Sequence, residues 1–496
     1  MLGPNHKKEK PFAGFGGFGG GGLALAFKSG GESFDYWSLG LRINSYENTN
    51  SVAGGGPKVD NDGNVYFAFI GTDNGNTLGE NQACLVKTDS GGVVKWVKSF
   101  TDTVTQVQST TIDVSGTGEI YYAWRRNSLQ RIEQILLNTN GSTQTWSTRI
   151  GQTSTHRIFN TIANKTGASG GHYVTGQDYD RQYSEVGAFY IAKLSATGTI
   201  SDDKGFIGAS TQNLNPGRHF GIDSSENTYH TLEYYEDPMA SNGYKKASTV
   251  IKYNSSLSFQ WAKEFKINNN PTDWDLIDLK GCDTDSSGNT YAWGRYVHAT
   301  RFSGSRGFFA KIDSSGSLQW VRENPKDSDG RGGEITYSGV VDSSGNFYWT
   351  VSGIYNSSAG RYSVVVHKCN SSGTMQWTRE MYINNLTSSG IGWGMVSVDS
   401  NDNLYVMGYA KLPTSSGPNG MYVLKVKTDG TETGTYGNVT WATRSTHSIQ
   451  SLTAGGDISF SGSPLSDTSV AQVDGTFTTT NTDYSTGAVN ELNGKS

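Results

Sequence analysis

The sequence predicts an all-β chain built as a seven-bladed β-propeller of four-stranded antiparallel blades, and three observations carry that reading. An acidic turn closing on a tyrosine returns seven times along the chain. A second polar turn closing on an aromatic residue follows each copy of the first. The composition, with 64 glycines, 26 tyrosines, 20 phenylalanines and 12 tryptophans in 496 residues, suits short strands joined by tight turns.

The first turn has the form Asp-Ser-Ser-Gly-Asn-x-Tyr. Clear copies begin at Asp60, Asp223, Asp285, Asp342 and Asp399; a lengthened copy begins at Asp113, and a degenerate one without the aspartate runs to Tyr173. The closing tyrosines are then Tyr66, Tyr122, Tyr173, Tyr229, Tyr291, Tyr348 and Tyr405, at spacings of 51 to 62 residues. The second turn leads to Trp96, Trp146, Trp261, Trp320, Trp377 and, in a longer form, Trp441, with Phe206 in the tryptophan place of the third repeat. Each repeat therefore supplies one strand into and one strand out of each of two hairpin turns. Gly and Asn provide the positive φ of such turns, while Asp and Ser bond back to nearby amides. A blade cannot hide its own faces, so the repeats gain stability by stacking round a ring. A parallel solenoid is the competing architecture, but its repeats are usually shorter and contain few hairpins.

One tryptophan strand is left over. Trp37 precedes the first acidic turn in a segment like the strands ending at the other tryptophans, so either it or Trp441 completes a blade made from both ends of the chain. The organisation read from this is an arm over residues 1–35, a propeller over 36–445 and an extension over 446–496.

The arm is too glycine-rich to offset its own ordering entropy, and it is expected to be disordered when free. Phe12, Phe15 and Phe18, spaced by three, are candidate anchors on a partner surface. In the extension, apolar residues at alternating positions (Ile458 and Phe460; Val470, Val473 and Phe477) suggest strands that pair only on another surface.

Charge and cysteine usage narrow the function. Forty Lys and Arg against 45 Asp and Glu give a net charge of −5, which lacks the basic excess that non-specific phosphate-backbone binding requires. The one basic cluster, Lys7, Lys8 and Lys10, lies in the arm beside Glu9. Cys84, Cys282 and Cys369 are odd in number and have no Cys-x-x-Cys spacing, so they read as small core residues. The basic start is followed only by the short apolar run 23–27, which is not a secretory signal, and no apolar run reaches the roughly 18 residues of a spanning helix. Neither a Sec-type signal nor membrane insertion is expected.

No catalytic, cofactor-binding or metal-binding residue is singled out. The eight histidines show neither His-x-His nor His-x-x-x-His spacing, and there is no Gly-x-Ser-x-Gly elbow or Walker loop. Asp60 to Asn64 looks superficially like a calcium loop, yet Gly71 stands where a bidentate Glu is needed, so turn chemistry explains it better. Carboxylates from separate blades could meet in space, but no spacing marks a pair.

The repeat resembles the Asp-Ser-Ser-Gly-Asn-x-Tyr propeller repeats of bacterial surface proteins and of virion proteins of tailed phages, notably those of marine cyanobacteria and related hosts. It covers roughly residues 36 to 445. The two ends look like the phage versions. The resemblance implies a non-enzymatic structural protein of the phage tail or another appendage, localised in the virion after assembly in the host cytoplasm and present in several copies. Its implied partners are other virion proteins, including tail or portal-proximal ones, and host surface glycan or protein, with no specific nucleic acid and no cofactor. The alternatives are a bacterial surface or secreted binding module and, on the same scaffold, a polysaccharide lyase or hydrolase.

Overall fold

The computed structural model describes residues 26–29, 36–42, 56–72, 81–100, 107–126, 131–141, 144–150, 156–167, 170–180, 187–207, 214–235, 246–267, 276–297, 305–324, 336–356, 361–384, 391–411, 419–436, 439–444, 450–451, 458–462, 471–472 and 489–491. They form seven antiparallel four-stranded blades around one axis, and no helix occurs among them. Numbering blades in chain order, the inner strands are Lys58–Val59, Val107–Val114, His156–Thr166, the pair Asn215–Pro216 and Gly221–Ile222, Leu276–Thr284, Thr336–Val341 and Ile391–Val398. The first six outer strands are Val94–Phe100, Gln144–Ile150, Ile200–Ile207, Phe259–Ile267, Leu318–Glu323 and Met375–Ile383.

Blade 7 takes its outer strand from the other end of the chain. Trp37–Arg42 pairs antiparallel with Asn419–Lys427, placing Trp37 opposite Lys425 and packing its ring against Tyr405. This decides between the two terminal tryptophan strands. The Trp441 strand, Val439–Thr443, is a fifth strand on the outer edge of blade 6, with Trp441 opposite Met381.

The acidic turn works as an Asx turn with a tyrosine lock. Asp60 Oδ1 accepts from the amides of Asp62 and Asn64 at 3.1 and 2.8 Å, and Oδ2 accepts from Asn64 Nδ2 and the Tyr66 hydroxyl, both at 2.8 Å. Asp223, Asp342 and Asp399 repeat the same four bonds. Two carboxylate oxygens thus satisfy four donors in a tight hairpin, which is why the motif is acidic.

Register corrects three sequence assignments. In blade 2 the turn begins at Ser115, not Asp113: the Ser115 amide bonds to Glu119 O as Asp60 does to Asn64, and Ser115 Oγ accepts from the Glu119 amide. The closing tyrosine there is Tyr121, which packs on Trp146 as Tyr66 does on Trp96. The next residue, Tyr122, points to the opposite face and donates to Cys84 O of blade 1. A doubled tyrosine and an aspartate two residues early concealed this shift. In blade 3 the residue opposite Lys193 is Asp202, just as Trp96 is opposite Lys87, so Asp202 and not Phe206 holds the tryptophan place.

Both flanking segments contribute edge strands. Ala26–Ser29 pairs with Trp37–Arg42, so these four residues of the arm are ordered against blade 7. Phe12, Phe15 and Phe18 lie outside the described residues. In the extension, Gln450–Ser451 adds to blade 5, Ile458–Gly462 to blade 4, Ala471–Gln472 to blade 3 and Val489–Glu491 to blade 1. The surface these strands use is the chain's own propeller, taken in reverse blade order after blade 6; Val470, Val473 and Phe477 lie outside the described residues.

Candidate functional site: the axial cavity and its seams

Neighbouring blades are clamped by two side chains that converge on one turn. The outer-strand tryptophan of one blade lies over the second turn of the next, where a glycine makes room: a Cβ at Gly92, whose φ is +77°, would sit 2.5 Å from the Trp37 ring. Except at Trp96, the indole also donates to a turn carbonyl, as from Trp37 to Ser90 O at 2.9 Å, Trp146 to Ala196 O at 3.0 Å and Trp320 to Ser371 O at 3.2 Å. Beside it, a third-strand lysine lies over its own blade's tyrosine and donates to the same turn. Lys311 over Tyr291 reaches Ser371 O at 3.2 Å, and Lys425 over Tyr405 reaches Ser90 O at 3.4 Å.

Two seams lack half of this clamp. Blade 2 carries Leu136 in the lysine place, opposite Trp146. Blade 3 carries Asp202 in the tryptophan place, and the receiving turn of blade 4 has Leu257 at φ +50° where the other blades have glycine. With no indole to admit, a Cβ is tolerated there. Histidines occupy these two seams: His172 of blade 3 stacks on Tyr121 of blade 2 at 4.3 Å, and His230 of blade 4 meets Phe189 of blade 3 at 5.1 Å. Burial lowers both imidazoles to a pKa of about 3, so they are neutral.

The inner strands of all seven blades enclose a polar cavity of about 230 Å³ on the axis. Its charged lining comes largely from one repeat position, two residues before the first turn. That position is Lys58 in blade 1, Asp113 in blade 2, Lys165 in blade 3 and Asp283 in blade 5, while blade 4 has Gly221 there and contributes Arg218 and His219 from just upstream. Lys165 Nζ bonds Asp283 Oδ1 at 2.6 Å across the ring, and Lys58 Nζ lies 3.4 Å from Asp113 Oδ1. The second oxygen of each carboxylate accepts a main-chain amide from the following blade: Thr166 to Asp113 at 2.6 Å, and Val341 to Asp283 at 3.0 Å.

The electrostatics follow from this pairing. Burial works against the Lys165 ammonium, but the charge and hydrogen bond of Asp283, with Asp113 adding, hold it above the ordinary lysine value. Burial, with the charge of Lys58 next, lowers His219 to about 3. Burial also raises the Cys282 thiol, which lines the wall and contacts Tyr229 O at 3.1 Å, to about 12. Cys84, Cys282 and Cys369 are all buried, as core residues should be. Among the described residues no group of three or more His, Cys, Asp or Glu is placed to hold a metal ion.

None of the axial residues was singled out by motif reading. The signal existed in the repeat alignment, because the position two residues before the turn is Lys, Asp and Lys in blades 1 to 3 and Asp in blade 5, but the misplaced start of the second repeat hid Asp113 within the turn itself.

No protein-family model matches the chain, and no curated protein is similar to it. Among solved structures it is similar to a polysaccharide lyase, at 12% identity and a TM-score of 0.49, over 78% of this chain and 93% of that one. It is also similar to an oligogalacturonate lyase in complex with manganese, at 8% and 0.39, over 82% and 96%. A protein of unknown function from Bacteroides caccae follows at 10% and 0.34, over 63% and 92%. Likeness of this order carries no chemistry across to the chain.

Proposed function

We propose that this chain is a non-enzymatic structural component of a tailed-phage particle, a tail or appendage subunit that docks to neighbouring virion proteins and contacts the host envelope. The observation that carries the non-enzymatic part is the use made of the axial carboxylates. Asp113 and Asp283 each hold a lysine and a main-chain amide of the next blade, so the acids on the axis serve ring rigidity rather than standing ready for proton transfer. The repeat resemblance supplies the virion assignment. A rigid ring with strand-forming segments at both ends suits a part that is positioned by its neighbours in several copies.

Mass spectrometry of purified particles, with cross-linking to identify neighbours, tests this reading. Stoichiometric presence beside tail or portal proteins is the expected result. Recovery in a bacterial envelope fraction instead would assign a surface binding module, and turnover of envelope polysaccharide by the purified chain would assign an enzyme. A chain lacking residues 1–25 retains the Ala26–Ser29 edge strand and is expected to fold yet fail to enter particles.

A further inference from the structure

Gly167 stands in the aspartate place of the blade 3 turn, since its amide bonds to Gly171 O as that of Asp60 does to Asn64 O. The carboxylate that the turn lacks is supplied by the next blade. A Cβ at Gly167 would lie 2.5 Å from Glu226 Oε1, and one at Gly171 3.6 Å from Oε2, so the Glu226 carboxylate stands where an aspartate side chain would. Its Oε2 accepts from the Tyr173 hydroxyl and from Lys193 Nζ, both at 3.4 Å. The four aspartates that bond the tyrosine of their own turn do so at 2.8 to 3.0 Å, so the hold across the seam is looser. The backbone is also strained to make it. Glu226 has φ +60° at the place where Gly63, Gly118, Gly170, Gly288 and Gly345 stand, a conformation that a residue with a Cβ adopts at a cost.

The rest of that seam is thin. Asp202 holds the tryptophan place, which leaves Lys193, over Tyr173 and bonded to Ser255 O at 3.1 Å, as the remaining half of the clamp. On the far side of blade 4 the inner strands are joined by main-chain bonds, from the Arg218 amide to Lys280 O at 2.8 Å and from the Cys282 amide to His219 O at 3.2 Å. The other seam of blade 3, to blade 2, lacks its lysine. Only the inner strand of blade 3 is tied across the axis, through Lys165 to Asp283. We infer that the seam between blades 3 and 4 is where the ring opens, with Glu226 as its latch. When the latch releases, the second, third and fourth strands of blade 3 swing away from blade 4, while the inner strand and the joined blades 4 and 5 stay in place. This reading is independent of the virion assignment.

Hydrogen exchange of the full chain, read by mass spectrometry on peptides from each blade, tests it. In the unaltered protein, His172–Asp180, Gly187–Leu194 and Ile200–Ile207 should exchange faster than the corresponding strands of blades 1 and 5. Glu226→Gly removes the strained φ and the latch together, and it should speed exchange in those three strands about tenfold while leaving the other blades unchanged. Asp402→Gly is the control. It relieves the same strain, at φ +58°, but Tyr348 of the blade before it is held by Asp342 at 3.0 Å, so blade 6 should exchange no faster. Adding Gly167→Asp to Glu226→Gly gives Tyr173 a carboxylate within its own turn but none across the seam, so exchange in blade 3 should stay fast. Should Glu226→Gly fail to fold, Glu226→Gln, which keeps the shape and removes the charge facing Lys193, should speed the same strands a few-fold. The inference is overturned if blade 3 of the unaltered protein exchanges no faster than blades 1 and 5, or if the folded Glu226 variant leaves its rates unchanged. It is equally overturned if the acceleration spreads evenly over the seven blades, if Asp402→Gly accelerates blade 6 as much, or if Gly167→Asp restores the unaltered rate, which would show that Glu226 serves the turn alone.

Discussion

At the seam between blades 5 and 6, Trp320 and Lys311 both donate to Ser371 O at 3.2 Å, and the Trp320 ring is only partly buried beneath Arg322. At the seam between blades 7 and 1, Trp37 and Lys425 both donate to Ser90 O, at 2.9 and 3.4 Å, and Trp37 is only 1% exposed. The parts are the same and the depth differs. The first seam joins blades that follow one another in the chain, whereas the second is completed by a strand from the opposite end. Closing so long a loop costs entropy that local continuity spares the other seams, and deeper aromatic burial offsets it.

Trp37→Ala should therefore be the most damaging single truncation, at about 3–5 kcal/mol, measured by denaturant unfolding. A loss no greater than that of Trp320→Ala would remove the distinction between the seams. Gly92→Ala attacks the same seam from the other side, combining a positive φ with a Cβ 2.5 Å from the Trp37 ring, and should cost about 2–3 kcal/mol. Gly170, at φ +81° with nothing within 4 Å of an added Cβ, is its control and should lose about 1 kcal/mol on the same change. Trp320→Ala should cost about 2 kcal/mol, since its side chain is only partly buried.

The half-clamped seams around blade 3 sharpen the comparison through pH. His172 and His230 have folded-state values of about 3, below the unfolded value near 6.5. The unfolded chain therefore takes up these protons first, so their stability contribution is full above pH 6.5 and declines as pH falls toward 3, by about 1.4 kcal/mol per histidine at pH 5.5. His230→Phe, set among Phe189 and Phe220, should flatten the dependence of the thermal midpoint on pH; an unchanged slope would show that acid acts elsewhere.

Blade number and the four-strand repeat were legible because the turns are chemically specific: only Asp with Asn and Tyr at fixed offsets completes that set of bonds. Where the chemistry was substituted, register was lost. Ser115 performs the aspartate's amide bond with a hydroxyl, and Asp202 replaces an indole outright, so neither announces its position. The identity of the closing strand was undecidable locally, because Trp37 and Trp441 both lie in strands that pair at a blade's outer edge, and long-range pairing alone separates them. The axial residues were invisible for a related reason. They are ordinary Lys, Asp and Ser side chains that acquire a role only when five blades bring them to one axis.

The reversed path of the extension has a mechanical consequence. From blade 6 it passes blades 5, 4 and 3 and ends on blade 1, held by strands of two, five, two and three residues after the first. Tension on the last residues would detach Val489–Glu491 first and then free the strands on blades 3, 4 and 5 in turn, each a small rupture, before it reached blade 6. Paid out in this way, the segment beyond residue 444 would extend by roughly 150 Å while every blade kept its four strands. Tension on the other end would peel away the four residues Ala26–Ser29 and then load Trp37–Arg42, the strand that shuts the ring. The same chain is thus a compliant tether when drawn from one end and a brittle lock when drawn from the other.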